Sequence, residues 1–419
     1  MHWTHAFSVP TVGSVSKTAA EPTAAVPVAW PGYARGSSGY RRILIALGAA
    51  GVATFAQLYA PQGILPLIGG SLQVDAARSA MTVSAGTFGL AISVLGWSWL
   101  ADRIGRAPAM KIALAAAAVL GLLTVLAPNF EAMLGLRIAE GVALGGVPAL
   151  AIAYLHEEVE PGQVAIAAGT YISGTTVGGL LGRLVAAPFA DWGGWRIGML
   201  SVAVMAGIAS VLFILLIPAA RGFRPTGASG RQVTAGLRAN LKNPAMLVLY
   251  AQAFLLMGGF VAIYNYLGYR LEAAPFGLPV SLAALIFLAY LAGTVSSRIA
   301  GGLAARRGRR PVLLISTVIM IIGVALTLPD WLPTILIGLV ILTAGFFGAH
   351  SIAAGWVGAR ARTGKAQATS LYNLFYYGGS SLFGWLGGVA YLVGWFGTAS
   401  MVLLLAAAAL LIAVVGARD

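Results

Sequence analysis

The sequence predicts an all-α membrane protein with twelve transmembrane helices in two pseudosymmetric six-helix bundles. Three observations lead there. Hydrophobic residues fill 59% of the 419 positions and charged residues only 9%, with a mean hydropathy of +0.88, which leaves too little polar surface for a soluble globule of this length. Apolar stretches near the roughly 20 residues needed to cross a bilayer recur twelve times. The stretch Ser98-Trp99-Leu100-Ala101-Asp102-Arg103-Ile104-Gly105-Arg106-Ala107-Pro108 returns in degenerate form as Gly301-Gly302-Leu303-Ala304-Ala305-Arg306-Arg307-Gly308-Arg309-Arg310-Pro311, the mark of an internal duplication.

Residues 1–40 mix Pro, Ala, Thr, Ser and Gly without an apolar run long enough for the core of a signal peptide, so they read as a disordered cytoplasmic tail. Spans are expected near 43–68, 79–101, 109–127, 131–155, 163–188, 196–217, 244–267, 279–303, 311–328, 332–355, 366–392 and 395–416. The first six make an N-terminal bundle, 41–217. A cytoplasmic linker, 218–243, carries five basic residues among Pro, Gly and Ser, and 244–419 make the second bundle. Counted from an inside start, the inner connections hold eighteen basic residues, from Arg41 and Arg42 to Arg418, whereas only Arg78, Arg196 and Arg270 fall outside. This bias follows the positive-inside rule and puts both termini in the cytoplasm. The net charge of +14 is therefore a topology signal and not a nucleic-acid footprint. With no cysteine in the chain, a disulfide framework, a thiolate metal site and a thiol nucleophile are excluded. No cofactor motif is present.

In the repeated loop, Gly105 permits a sharp turn and Asp102 can accept from a neighbouring helix N-terminus. Arg103 and Arg106 can pair with acids at adjacent cytoplasmic ends. Glu157, Glu158 and Glu160, just after the fourth span, are the nearest such acids in the chain order; the plainer reading is a solvated topogenic loop. The loop resembles the loop 2-3 signature of the major facilitator superfamily, Gly-x-Leu-Ala-Asp-Arg-x-Gly-Arg-Lys. Ser98 stands in place of its first Gly and Ala107 in place of its second base. The resemblance implies the major facilitator fold and a cytoplasmic gate latched by Asp102, Arg103, Gly105, Arg106, Glu157 and Glu158.

Arg137, Glu140, Gly141, Gly145 and Gly146 in the fourth span resemble that family's fourth-helix motif of Arg followed by Gly four residues on. Three positions apart, Arg137 and Glu140 share a helix face, and each is costly in hydrocarbon unless it meets a partner or a wet cavity. Two readings stand: Glu140 carries the transported proton with Arg137 tuning it, or the two form a permanent structural ion pair. In the fifth span, Gly174-Thr175-Thr176-Val177-Gly178-Gly179 resembles the Gly-Pro-x-x-Gly-Gly element of drug-proton antiporters, with Thr175 in place of Pro. That resemblance implies close packing of the fifth helix on its pseudosymmetric partner; ordinary small-residue packing is the alternative. Arg183 and Asp191 are expected to pair near the outer gate. Arg298 reads as a snorkelling side chain, and His350 reads either as a second proton site or as a neutral, hydrogen-bonded core histidine.

Substrate contacts are expected from polar and aromatic residues on the first helix of each three-helix repeat: Gln57, Tyr59, Gln252, Tyr264, Asn265 and Tyr266, joined by Tyr372, Asn373, Phe375, Tyr376 and Tyr377. An aromatic cavity with one carboxylate suits a bulky, amphipathic or cationic compound, while the amides suit a sugar. Tyr171-Ile172-Ser173-Gly174, Tyr264-Asn265-Tyr266 and Gly345-Phe346-Phe347 extend the resemblance to the YnfM-like branch of bacterial inner-membrane efflux transporters. It implies proton-driven export of drugs or metabolites across the inner membrane by a monomer whose partners are small-molecule substrate, protons and lipid. No cofactor, metal or nucleic acid is expected. A proton-independent sugar or metabolite facilitator is the alternative. A transceptor or membrane-embedded enzyme is a different class, against which stand the missing output domain and the missing catalytic or metal-ligand set.

Overall fold

The computed structural model describes residues 1–2, 30–223 and 230–417. Among them the regular structure is helical: α1 (Ser38–Tyr59), α2 (Leu65–Leu72), α3 (Ala76–Ile104), α4 (Arg106–Val125), α5 (Phe130–Leu144), α6 (Pro148–Glu158), α7 (Val164–Leu216), α8 (Gly230–Leu241), α9 (Pro244–Glu272), α10 (Val280–Ala283), α11 (Tyr290–Arg307), α12 (Arg309–Leu326), α13 (Leu332–Arg360), α14 (Lys365–Tyr391) and α15 (Trp395–Gly416). Among the described residues, nine stretches are long and apolar enough to cross a bilayer. Three local features turn nine into twelve. Gly193 and Gly194 leave helical φ/ψ inside α7 and fold it into two spans. The fourth span is broken between α5 and α6, so neither piece is long enough alone. The eleventh, α14, meets the length but is too rich in Gly, Ser and Tyr to register as apolar.

The breaks have local causes. Pro148 has no N–H to give back to the preceding turn and so opens α6 as its first residue, while Gly145 and Gly146 sit against Ser93 and Trp97 with no room for a Cβ. Gly146 N–H turns to Ala143 O, and the Trp97 indole N–H takes Val142 O at 2.7 Å. The first span runs as α1, a 3-10 turn over Ala60–Gly63 and then α2. Pro61 stands where an N–H would donate to Gln57 O, so that carbonyl is left for another donor. Ser37, Asp75, Asn129 and Asn243 cap α1, α3, α5 and α9 through their side chains.

The duplication is visible in the backbone. Gly105 (φ 94°, ψ 156°) and Gly308 (φ 88°, ψ 160°) adopt one conformation, and their N–H groups close the preceding helices on Ala101 O and Ala304 O at 3.0 Å each. This region of φ/ψ is essentially glycine-only. Gly105→Ala and Gly308→Ala are therefore each expected to lower stability by about 1–3 kcal/mol, and by additive amounts because the sites are distant. Melting of the two single variants and the double variant in detergent checks this.

The linker, 218–243, carries a helix of its own. It contains α8, whose Asn240 side chain donates to Thr363 O at 3.1 Å and docks it on the turn between α13 and α14. The expected tail 1–40 is revised: Trp30–Ser37 is ordered, with Tyr33 pairing Val159 as a β-bridge, and α1 begins at Ser38. The part of that tail from 3 to 29 lies outside the described residues. Loops 105, 159–163, 308 and 361–364 share one face with the starts of α1 and α9, here the termini face; the opposite one is the far face.

Among the described residues, the hydrogen bonds between the two bundles lie toward the far face. There Gln62 donates to Asn265 (2.7 Å), Thr87 and Ser381 share a hydrogen bond (2.8 Å), Ser381 donates to Ser84 O (2.7 Å), Tyr269 to Leu65 O (3.0 Å), and Ser281 N–H to Asp191 (2.9 Å). Among the described residues, no hydrogen bond or ion pair joins helices of the first bundle to those of the second nearer the termini face. The hydrogen bonds between the bundles thus gather toward the far face.

Candidate functional site

Arg137 on α5 is the hub of the first bundle. Fully buried, it donates from Nη1 to Glu140 Oε2 (2.7 Å) and Gln57 O (3.1 Å), from Nη2 to Leu58 O (2.7 Å), and from Nε to Thr82 O (2.9 Å). It supplies the donor that Pro61 denies to Gln57 O and splices the broken first span to α3 and α5. Gly86 gives it space, since a Cβ there would lie 2.6 Å from Nη2. The predicted spacing of three is realised as a buried ion pair.

Gln57 belongs to this hub and not to the interbundle cavity. Its Nε2 donates to Ala53 O at 3.3 Å, which points Oε1 the other way, buried and without a donor. That oxygen and Glu140 Oε1 both face the bare Cα of Gly121, where a Cβ would lie 2.4 Å from the one and 3.3 Å from the other. Both oxygens thus line the same gap at Gly121, and that of Gln57 has no donor there.

Arg183 is the second buried cation, and its expected partner is not there. Asp191 accepts from Ser281 N–H instead, and no acid pairs with Arg183 among the described residues. Its guanidinium donates to Gln62 Oε1 (2.8 and 2.5 Å), Gly179 O (2.6 Å) and the Tyr290 hydroxyl (3.2 Å). It stands 4.4 Å from the Tyr59 ring centre, 4.7 Å from that of Phe287 and 4.8 Å from that of Tyr290. Gln62, Phe287 and Tyr290, which sequence reasoning passed over, complete this cluster. Gln62 follows Pro61, and that turn-breaking Pro was the one available signal that a polar group there faces inward.

An aromatic lattice continues through the second bundle. Tyr264 lies tilted against Tyr290 (4.9 Å) and Phe260 stacks on Phe346 (4.0 Å). Phe346 leads to His350 (5.8 Å), and His350 to Tyr376 (4.8 Å). The Tyr372 hydroxyl and His350 Nδ1 lie 2.9 Å apart. Gln252, His350 and Tyr372 line one narrow crevice. Gln252 turns away from the cleft, donating to Ala409 O (2.9 Å), and Tyr264 hydrogen-bonds Thr343 (2.7 Å) inside its own bundle. Asn265 sits at the far-face seam. Asn373 and Tyr376 are half-buried on α14, Tyr376 against His350, and Arg298 is exposed, which suits a snorkelling side chain.

The glycine stripe faces a different neighbour from the one the resemblance implied. A Cβ on Gly174 would meet Gly48 O at 2.6 Å, on Gly178 Val52 Cα at 2.6 Å, and on Gly182 Ala56 O at 2.4 Å. The stripe therefore packs on α1 within the same bundle. Thr175 has its hydroxyl on Ile172 O, and Gly179 faces Arg183.

At the termini face Arg106 binds both Asp102 (2.6 Å) and Glu157 (3.2 Å). Arg103 pairs with neither acid and lies 3.5 Å over the Trp99 ring. Glu158 takes the backbone N–H groups of Arg221 and Gly222 at 2.7 Å each. Burial raises the carboxyl pKa of both Glu157 and Glu158, against the pull of Arg106 on the first and of the Gly222 and Arg221 N–H groups on the second. This cluster stays within the first bundle and clasps the start of the linker.

Residues 45–306 match the Major Facilitator Superfamily. The chain is 40% identical over 379 residues to the inner membrane transport protein YnfM of Escherichia coli, covering 90% of this chain and 91% of that one. It is 37% identical over 374 residues to an uncharacterized transporter of Buchnera aphidicola, covering 89% and 91%. In fold it is similar to a bacterial homolog of the human lysosomal transporter Spinster, solved in an inward-facing and occupied conformation. There the TM-score is 0.72 and the identity 16%, over 91% of this chain and 96% of that one.

Proposed function

The chain belongs to the major facilitator superfamily, and on that premise we propose that it exports small molecules across the bacterial inner membrane in exchange for protons, with both termini in the cytoplasm. It is a multi-pass transporter and not an enzyme. In this reading the termini face is cytoplasmic, which agrees with the arginine-rich loops gathered there. The far-face seam is then the closed outer gate, and the described state opens inward. Arg106 with Asp102 and Glu157 braces the inner end of the first bundle as one unit.

The observation that carries the coupling is the buried Arg137–Glu140 pair beside the donorless Gln57 amide oxygen. A proton on Glu140 weakens its hold on Arg137 and supplies the missing donor for Gln57 Oε1. Because Arg137 also holds Gln57 O and Leu58 O, the change reaches the hinge at Pro61 directly. His350, hydrogen-bonded to Tyr372, forms part of the cavity wall.

The test is internal pH in proteoliposomes under an imposed proton gradient. A lipophilic cation, a neutral drug, a pentose and an aromatic carboxylate are added in turn. With wild type, the transported compound is expected to dissipate the gradient. With Glu140→Gln, the same compound is expected to equilibrate without proton movement, a loss of coupling on the order of a hundredfold. Unaltered proton flux in Glu140→Gln overturns Glu140 as carrier. Equilibration in wild type with no proton movement makes the protein a facilitator.

A further inference from the structure

The ionised groups of the membrane core do not balance. Arg137 and Glu140 cancel, whereas Arg183 is buried with only Gln62, Gly179 O and Tyr290 as hydrogen-bond partners. A cation so placed raises the potential of the cavity roof and disfavours a second cation there. It also occupies the ring faces that would hold a cationic compound, since Tyr59, Phe287 and Tyr290 all surround its own guanidinium within 4.8 Å.

We propose that Arg183 reads the charge of the substrate, and that the compounds carried are amphipathic organic anions, an apolar or aromatic body bearing one carboxylate. This deepens the transport reading and rests on it. Four of the five guanidinium N–H groups are engaged, and the second N–H of Nη1 has no acceptor among the described residues. The Tyr290 hydroxyl, now accepting from Arg183, keeps its own proton to give, and the Tyr59 hydroxyl donates to no described group. All three donors belong to the one cluster around Arg183, which suits a carboxylate. The half-buried rings of Phe55 and Phe347 lie beside Tyr59 (6.4 Å) and Tyr290 (5.7 Å) and suit the apolar body. A carboxylate that takes Arg183 from Tyr290 also removes a contact between the two bundles, so binding and release of the outer gate share one group.

The test is binding of three compounds with one body, 4-phenylbutyrate, 4-phenylbutanamide and 4-phenylbutylamine, to the full-length protein in detergent at fixed pH without a gradient. Wild type is expected to bind the acid at least about tenfold more tightly than the amide, and the amine weakest. Arg183→Lys keeps that order, Arg183→Gln brings the acid down to the amide, and Tyr290→Phe weakens the acid alone by a few-fold. Should Arg183→Gln fail to fold, the wild-type order and Tyr290→Phe decide. Amine or amide binding as tight as the acid overturns the proposal, as does absence of acid binding up to millimolar concentration. Proton flux driven by a cation or a sugar, with no binding of the acid, defeats this inference and leaves proton exchange standing. An Arg183-dependent preference for the acid, with transport that moves no proton, supports this inference and defeats proton exchange.

Discussion

Arg137→Met is expected to destabilise the protein by about 3–5 kcal/mol, the usual cost of leaving a buried charge without its partner. Glu140 would remain in hydrocarbon with no counterion, and Gln57 O, already deprived of an N–H by Pro61, would lose its remaining donor. Removing the acid as well is expected to restore most of this: Arg137→Met/Glu140→Leu leaves no unpaired charge, and apolar replacement of a buried pair is often neutral or better. Restoration should be incomplete, because the carbonyls of Gln57 and Leu58 stay unsatisfied. Unfolding of the single and double variants in mixed micelles measures the difference. A single variant as stable as wild type would show that the pair is solvated. Transport separates the readings further: the stable double variant should move substrate without protons.

Gly178→Ala is expected to cost about 1–3 kcal/mol, the range for overpacking a tight interface, and to impair transport. Its Cβ would lie 2.6 Å from Val52 Cα and 2.7 Å from Val52 O, and both are backbone atoms of α1 that cannot swing aside. Gly182→Ala should behave the same way against Ala56. The matched control is Gly169→Ala on the same helix, with nothing within 4 Å of the new methyl. There the better helix propensity of alanine should leave stability equal or raise it by up to about 1 kcal/mol. Equal effects at 169 and 178 would mean that helix propensity, and not the α1 contact, governs this stripe.

These two sites also mark how far the sequence could be read. A spacing of three on one helix fixes a shared face, so the Arg137–Glu140 pair was legible before any coordinates. The broken fourth span could be anticipated from Gly145, Gly146 and Pro148, and the repeated turn from Gly105 and Gly308. Arg183 and Asp191 failed as a pair because eight residues of helix span about 12 Å, beyond the reach of two side chains at rest. The true partner, Gln62, comes from another helix, and no pattern within α7 points to it. The glycine stripe shows the same limit: its period identifies a close-packed face, while the identity of the neighbour depends on tertiary arrangement. The cavity residues were the least legible. Gln57, Gln252 and Tyr264 are polar enough to suggest substrate contact, yet each spends its hydrogen bonds inside its own bundle.

The matching turns at Gly105 and Gly308 fix which positions of the two halves correspond. Counted from these glycines, the counterpart of Arg137 is Val340 and that of Glu140 is Thr343, whose hydroxyl meets Tyr264. The halves are twins in backbone but not in chemistry. A change of protonation at Glu140 would therefore deform one half alone, while the other answers as an inert counterweight. A symmetric frame with a single motor has a definite stroke, and exchanging the residues at these two pairs of positions would move the motor to the opposite side.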